Sequence, residues 1–374
     1  MDSRWQRATA VDPAHMTLLV LAPHPENTAP GQRLKFEQYY RFWRAAGWTV
    51  IHDAFYSAEL EARLRNPLTP ATCLRLVWAC LRRVSCLWHA ARADVVYLFL
   101  EAVPVGPPIL EWLIVHVLRR PVVYDLDDCV FLPKPGSRAT GIPSLCRRER
   151  KIAALMRWAR HVIVCTAHLE SMAKAVTDAP VTRISSTIDA VRYQPRIRPA
   201  SRKLTIGWSG SFSTSPYLHQ LDEVLCWVQR THGVAIRVIG DPAFRIEGCE
   251  IEALPWRADT EVRDLAGLDI GLYPLAGTPW DLGKSGLKAL QYMALGIPVI
   301  ATPFGATLEL IEEGFNGLLA DSREAWQHKL AYLIGHPEAR ASLGRQGRRT
   351  VVRRYSLNVT WPVYRDIVDG ARSE

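Results

Sequence analysis

Lys284, Lys288 and Gln291 lie four and three positions apart in the segment DLGKSGLKALQYMALGIPVIATPFGATLE, residues 281–309. On a helix the three would share one stripe. Two ammonium groups at i and i+4 repel, and a cation in the first turn of a helix opposes the helix dipole. An anion at the amino end reverses both penalties, because the free N–H groups there already favour phosphate. The same spacing also suits two solvated lysines, the usual fate of that residue. An anion site here would draw on Lys284, Lys288 and the N–H groups of Ser285, Gly286 and Leu287.

Three more places carry groups that could do chemistry. The stretch RPVVYDLDDCVFL (120–132) reads as a strand whose end bears Asp125, Asp127 and Asp128. Such acids bind a divalent metal, act on a substrate as a base, or cap a helix and shape a turn. Gly210 and Ser211 follow the strand-type run LTIGWS (204–209) and would leave backbone N–H groups for an anion. Gly31, Gln32 and Arg33 close the loop PHPENTAPGQR (23–33), where a plain helix start is an equal reading.

These groups need strands and helices to bring them together. Residues 16–22, MTLLVLA, read as a buried strand, followed by a loop, a helical pattern over 34–47 and a second strand over 48–55. That is the opening of a doubly wound α/β domain, whose ligands bind beyond the carboxyl ends of the strands. Residues 93–100 and 161–166 add strands, and 107–119 a helix. The proline- and charge-rich run PRIRPASR (195–202) reads as a linker. The grammar then restarts, with strands at 204–209, 235–240 and 269–273. Around the lysines, Leu287, Leu290, Met293 and Ala294 would face a core, Gly296 would close the helix in the left-handed region, and Pro298 forbids its continuation. Residues 297–301 form the next strand. The boundaries expected are 1–195 and 196–354, with 355–374 crossing back onto the first domain.

Two segments admit surface roles. Residues 72–92, TCLRLVWACLRRVSCLWHAAR, are apolar around much of a helix, with Arg75, Arg82 and Arg83 on the remainder. They suit an interfacial helix on an anionic membrane or a sheet-covering helix with snorkelling arginines. Residues 144–160 carry Arg147, Arg148, Arg150, Lys151, Arg157 and Arg160, a basic face for membrane phosphates or for solvent.

The chain has 374 residues, 48% hydrophobic and 22% charged, globular values with room for two domains. A net charge of +9 makes a nucleotide, an anionic lipid or a nucleic acid a plausible partner. Nucleic-acid binding calls for basic–aromatic surface motifs, and the basic residues are instead dispersed. The eight cysteines show no CxxC and no zinc spacing, so reduced, buried thiols are expected. The start, MDSRWQRATAVDPAHM, lacks an apolar signal region, and no apolar run reaches spanning length. A cytoplasmic protein follows as the expectation.

The block KSGLKALQYMALGIPVIAT resembles the donor-binding segment of the retaining family 4 glycosyltransferases (glycosyl transferases group 1). It is more similar still to a subgroup reading KxxxKxxQYMAxGxPV and VYDxDD, the latter matched by VYDLDD at residues 123–128. The likeness runs from about Thr17 to Tyr355. It implies an α/β GT-B fold, two Rossmann-like domains facing a central cleft. It also implies transfer of a sugar, with retention, from a nucleoside-diphosphate sugar to a hydroxyl of a glycan or lipid-linked glycan. The wider family's two glutamates, eight residues apart, fall on Gly283 and Gln291. Its arginine and lysine in the first loop of the nucleotide domain fall at Ser211 and Tyr217 or near neighbours. Lys284 and Lys288 are left as the phosphate ligands.

By the same resemblance Asp281 and the adjacent backbone reach sugar hydroxyls. Trp256 lines the base or sits in the core. Gly31, Gln32 and Arg33 meet the donor phosphates or the acceptor. Asp127, with Asp125 second, is the catalytic or acceptor-orienting residue. No cofactor or metal is expected, since the motif is not that of the metal-dependent glycosyltransferase fold. Expected partners are the donor, the acceptor and peripherally an anionic membrane, with no nucleic acid. The alternatives are a nucleotide-sugar binder, an epimerase or a phosphorylase of the same fold.

Overall fold

The protein was analysed as a computed structural model that describes residues 16–64, 69–104, 106–132, 144–195 and 203–373. Two six-stranded parallel sheets organise it. The first contains β1 (Met16–Ala22), β2 (Trp48–Ala54), β3 (Val95–Phe99), β4 (Val122–Leu126), β5 (His161–Val164) and β6 (Val181–Arg183), in the order β2-β1-β3-β4-β5-β6. The second contains β7 (Thr205–Ser209), β8 (Ala235–Ile239), β9 (Ile251–Leu254), β10 (Ile270–Tyr273), β11 (Val299–Ala301) and β12 (Leu318–Leu319), in the order β12-β11-β10-β7-β8-β9. Both orders reverse direction at their first strand, β1 or β7. Open parallel sheets present a ligand crevice at that point.

Parallel sheets require cover on both faces, which explains the near-continuous apolar runs in the central strands. One face of the first sheet meets Cys86, Ala90, Ile114, Leu155 and Met156 from the helices that follow β2, β3 and β4. The other meets Tyr39, Tyr40 and Trp43, together with Tyr364, Ile367 and Val368 of the C-terminal helix Leu357–Ser373. That helix follows the second sheet in sequence and lies against the first. The linker expected at 195–202, and the boundary within it, fall outside the described residues apart from Pro195.

Residues 72–92 are not one helix. Pro70–Arg83 and Cys86–Ala90 are separate, and only the second covers the sheet. The first buries a narrow strip against Phe55 and Leu60. In the helix Ser144–Trp158, Lys151 is buried against Glu101, Arg148 also reaches Glu101, and Arg150 and Arg157 are exposed. The side chain of Arg147 lies outside the described residues. Among the described residues, no helix is long and apolar enough to cross a membrane.

Candidate active site

The carboxyl end of β4 supplies the three acids, and burial separates their roles. Asp125 is the last but one residue of the strand and is fully buried. Lys35 Nζ lies 2.8 Å from its Oδ1, and the Tyr97 hydroxyl donates to Oδ2. Burial pushes the Asp125 carboxyl above its ordinary value, and Lys35 opposes the shift. Lys35 is itself fully buried, and Asp125 with Asp127 holds it charged. Asp125 is therefore an internal anchor, not a group placed to meet substrate. Asp127 comes after the strand, is partly exposed, and has its Oδ1 3.7 Å from Lys35 Nζ. A Cβ on Gly31 would lie 3.9 Å from Asp127 Oδ2, so the 23–33 loop closes over this carboxylate. Asp128 turns the chain with a left-handed φ of 61°. Such a backbone is uncommon for a non-glycine residue, though aspartate tolerates it better than most.

Facing these acids is the amino end of the helix Leu287–Ala294. The helix starts three residues later than the lysine spacing suggested. Gly286 is its N-cap with φ +77°, and Lys284 lies before it in extended backbone. Lys284 and Lys288 are therefore not successive turns of one stripe. Lys284 Nζ instead crosses to Asp128, 3.1 Å away. Burial works against the charge on Lys284, but Asp128 outweighs it and raises its pKa. Burial likewise pushes the Asp128 carboxyl up, with Lys284 pulling the other way. Lys288 sits over the rings of Trp208 and Tyr273, 5.9 Å from each centroid. Among the described residues no carboxylate pairs with it within 4.0 Å. Burial, then the charge of Lys284, brings Lys288 down to about 8. The first bond of the helix ladder runs from Leu290 N–H to Gly286 O. The N–H groups of Leu287, Lys288 and Ala289 thus have no helical acceptor. Gly296 closes the helix with φ +68°, as expected.

Several expected donor contacts are occupied internally. Asp281 is fully buried, accepting from the Tyr217 hydroxyl at 2.6 Å and from Thr278 N–H and Oγ1. It caps the turn Pro279–Gly283 and is not free for sugar hydroxyls. Ser285 meets Ser186 through its hydroxyl at 2.7 Å and Ser185 through its carbonyl. Gly283 faces the first domain: a Cβ there would stand 2.4 Å from the Cys129 backbone nitrogen and 2.8 Å from the Asp128 carbonyl carbon. Position 283 has no room for a side chain in this closed arrangement. Nor are the N–H groups of Gly210 and Ser211 free. Gly210 N–H donates to Ile239 O, and Ser211 N–H donates to Thr214 Oγ1 at 3.0 Å.

A second cross-domain cluster forms around Glu261, which spacing did not single out. Arg33 Nη2 lies 2.5 Å from its Oε2, and the Tyr193 hydroxyl donates to the same oxygen at 2.8 Å. Trp256 Nε1 and Gln291 Nε2 donate to its Oε1. Gln291 is buried here and does not share a face with Lys284. Trp256 is partly buried, with Arg33 over its ring at 5.7 Å. Burial opposes the charge on Arg33, and Glu261 followed by Tyr193 more than restores it. Arg33 Nε and Nη1 remain buried without an acceptor. Beside it opens a cavity of about 330 Å³, also lined by Asn27, Glu37, Arg44 and Arg192. Gln32 is locked by His24 and Glu37 and is a scaffold residue.

The structure thus gathers Asp127, Asp128, Lys284, Lys288 and Gly31 on one line of the cleft, and Arg33, Trp256 and Gln291 on another. Glu261, Tyr193 and Lys35 were missed because their partners are remote in sequence. Arg33 and Glu261 are separated by 228 positions.

Residues 278–350 match the family model described as glycosyl transferases group 1. An uncharacterized glycosyltransferase of Methanocaldococcus jannaschii, MJ1178, is 38% identical over 78 residues, 20% of this chain and 21% of that protein. The matched stretch thus spans about a fifth of the curated relative. Among solved structures, sucrose-phosphate synthase from Thermosynechococcus elongatus superposes with a TM-score of 0.69 at 16% identity, covering 95% of this chain and 100% of that one. Anabaena HepE in complex with UDP-glucose gives 0.67 at 17% identity, covering 94% and 99%. A glycosyltransferase from Rickettsia africae gives 0.67 at 13%, covering 96% and 98%. At these identities the likeness is one of fold. The two parallel sheets have the GT-B arrangement.

Proposed function

We propose that this chain is a glycosyltransferase that moves a sugar from a nucleoside-diphosphate sugar to a hydroxyl of a glycan or lipid-linked glycan, with retention. One juxtaposition carries the reading. Lys288, with no carboxylate within 4.0 Å among the described residues, stands at the free amino end of a helix across the cleft from Asp127 and Asp128. The match of residues 278–350 supports it, since that segment holds both lysines. So does the GT-B likeness to a protein solved with UDP-glucose.

The chemistry follows from where charge develops. Glycosyl transfer passes through an oxocarbenium-like state, and the diphosphate departs with growing negative charge. Preorganised cations and N–H dipoles in a closed site stabilise that charge. Lys288 and the N–H groups of Leu287 to Ala289 do this directly. Lys284 joins them when the donor phosphate displaces Asp128. The unpartnered Nε and Nη1 of Arg33 offer two further donors from the opposite domain. Asp127 orients the acceptor hydroxyl or takes its proton, a step that needs a carboxylate at the sugar. The two lysines supply the charge a metal would otherwise bring, so turnover is proposed to survive a chelator. The cysteine spacing, which fits reduced thiols, and the proposed sugar-nucleotide substrate support a cytoplasmic location for this reaction.

The deciding experiment has two stages. A panel of nucleoside-diphosphate sugars is scored by thermal shift, because a ligand that binds the native state raises its apparent stability. The best donor is then incubated with and without hydroxyl acceptors while nucleoside diphosphate is measured. Acceptor-dependent release supports transfer. Binding without release would identify a nucleotide-sugar binder, and product without acceptor an epimerase.

A further inference from the structure

We propose that the outer surface of the helices Pro70–Arg83 and Cys86–Ala90, with the helix that follows β3, docks on an anionic lipid bilayer. A surface helix ordinarily turns its apolar stripe inward and its charges outward. Pro70–Arg83 does the reverse. Leu74, Val77, Trp78 and Leu81 follow i, i+3, i+4 and i+7 spacing, and all are exposed, Leu74 by 71% and Trp78 by 68%. Meanwhile Arg83 is 1% exposed, its guanidinium spent on Asp53 and on the carbonyls of Asp53 and Ala102. Arg82 likewise bends back to the carbonyls of Ala54 and Phe55.

The stripe continues onto neighbouring elements. Trp88 is exposed on Cys86–Ala90, and Ile109, Trp112 and Val117 are exposed on the segment after β3. Arg120 ties the two by donating to Ala91 O at 2.6 Å. Apolar surface of this extent marks an interaction site.

Charge selects the occupant. Over the described residues 69–92, 106–120 and 148–160, the exposed arginines include Arg82, Arg92, Arg119, Arg150 and Arg157, against the single exposed acid Glu149. Glu59, on the preceding helix, is taken by Arg63 and Arg75, and Asp53 by Arg83. A second copy bound through the same patch would bring these arginines against their own images, since a two-fold interface pairs a patch with itself. An anionic bilayer complements them, and tryptophan prefers the boundary between headgroups and hydrocarbon. Ile109 begins the helix leaving β3, so the surface reaches the carboxyl edge of the sheet, where Asp127 lies. The inference stands on this surface and does not depend on the reaction proposed above.

Sedimentation of the full chain with vesicles tests it without any enzymatic readout. Phosphatidylcholine vesicles containing phosphatidylglycerol should bind the protein, and pure phosphatidylcholine should bind it much more weakly. The neutral double variant Trp78→Ser/Leu81→Ser should lose affinity for the anionic vesicles by about tenfold or more, at unchanged thermal stability. Arg345→Glu, on an exposed position of the other domain, should bind as the native chain does. Failure of the native protein to bind, or equal binding by the double variant, overturns the proposal. So does a dimer in solution that the double variant dissolves in the absence of lipid binding.

Discussion

Arg33 Nη2 rests 2.5 Å from Glu261 Oε2, and the contact joins the loop after the first strand to a helix of the opposite domain. Side-chain exposures of 6% and 3% make it nearly dry. Removing one partner of such a pair strands the other charge in a poorly solvated place. Glu261→Ala should therefore cost about 3–5 kcal/mol in urea unfolding, while Arg33→Met/Glu261→Gln, which keeps an acceptor for Trp256 and Gln291, should recover most of it. A loss below about 1 kcal/mol would mean that water reaches the pair.

The two sides of the cleft should separate kinetically. Lys288→Ala removes a charge-assisted contact to phosphate and should weaken donor binding roughly 10–100-fold by calorimetry. Asp127→Asn should leave donor affinity nearly unchanged and lower kcat roughly 10²–10⁴-fold. Equal, minor effects of both would remove these assignments.

Lys288 also predicts a pH response. Its value in the fold, about 8, is below that of a free lysine. Between the two values the unfolded chain holds more protons, so the charged form is a cost to the fold that is constant below about 8 and relieved as pH rises. Anion binding favours the charged form. Donor affinity should thus be flat below pH 8 and fall above it, towards about tenfold per unit. Lys288→Met should flatten the profile, and a native profile without the fall would show that Lys288 does not face the donor.

Asp128 competes with phosphate for Lys284. Asp128→Asn keeps a residue that tolerates left-handed backbone and releases the lysine. Donor binding should tighten several-fold, while stability drops by about 1 kcal/mol because Lys284 loses its charged partner. Weaker donor binding would instead make Asp128 part of the donor site.

Local patterns were legible before any coordinates: the alternation of strands and helices, the left-handed stop at Gly296, and Lys288 near a helix start. What spacing could not reveal was burial between remote segments. Three acids at a strand end look alike in sequence. Only the arrival of Lys35 from another element makes Asp125 internal and leaves Asp127 partly open. Gly286 reads as one more residue of a helical stretch, yet its positive φ moves Lys284 out of the helix and towards Asp128. Gln291 fitted the lysine stripe, and it turned inward because Glu261 and Tyr193 offered it two buried partners.

Gly283 sits against the backbone of Asp128 and Cys129 with no space for even one carbon more. Any side chain at this position would have to wedge the halves apart. The halves close this far only because residue 283 lacks a side chain, so even alanine there would hold the cleft ajar.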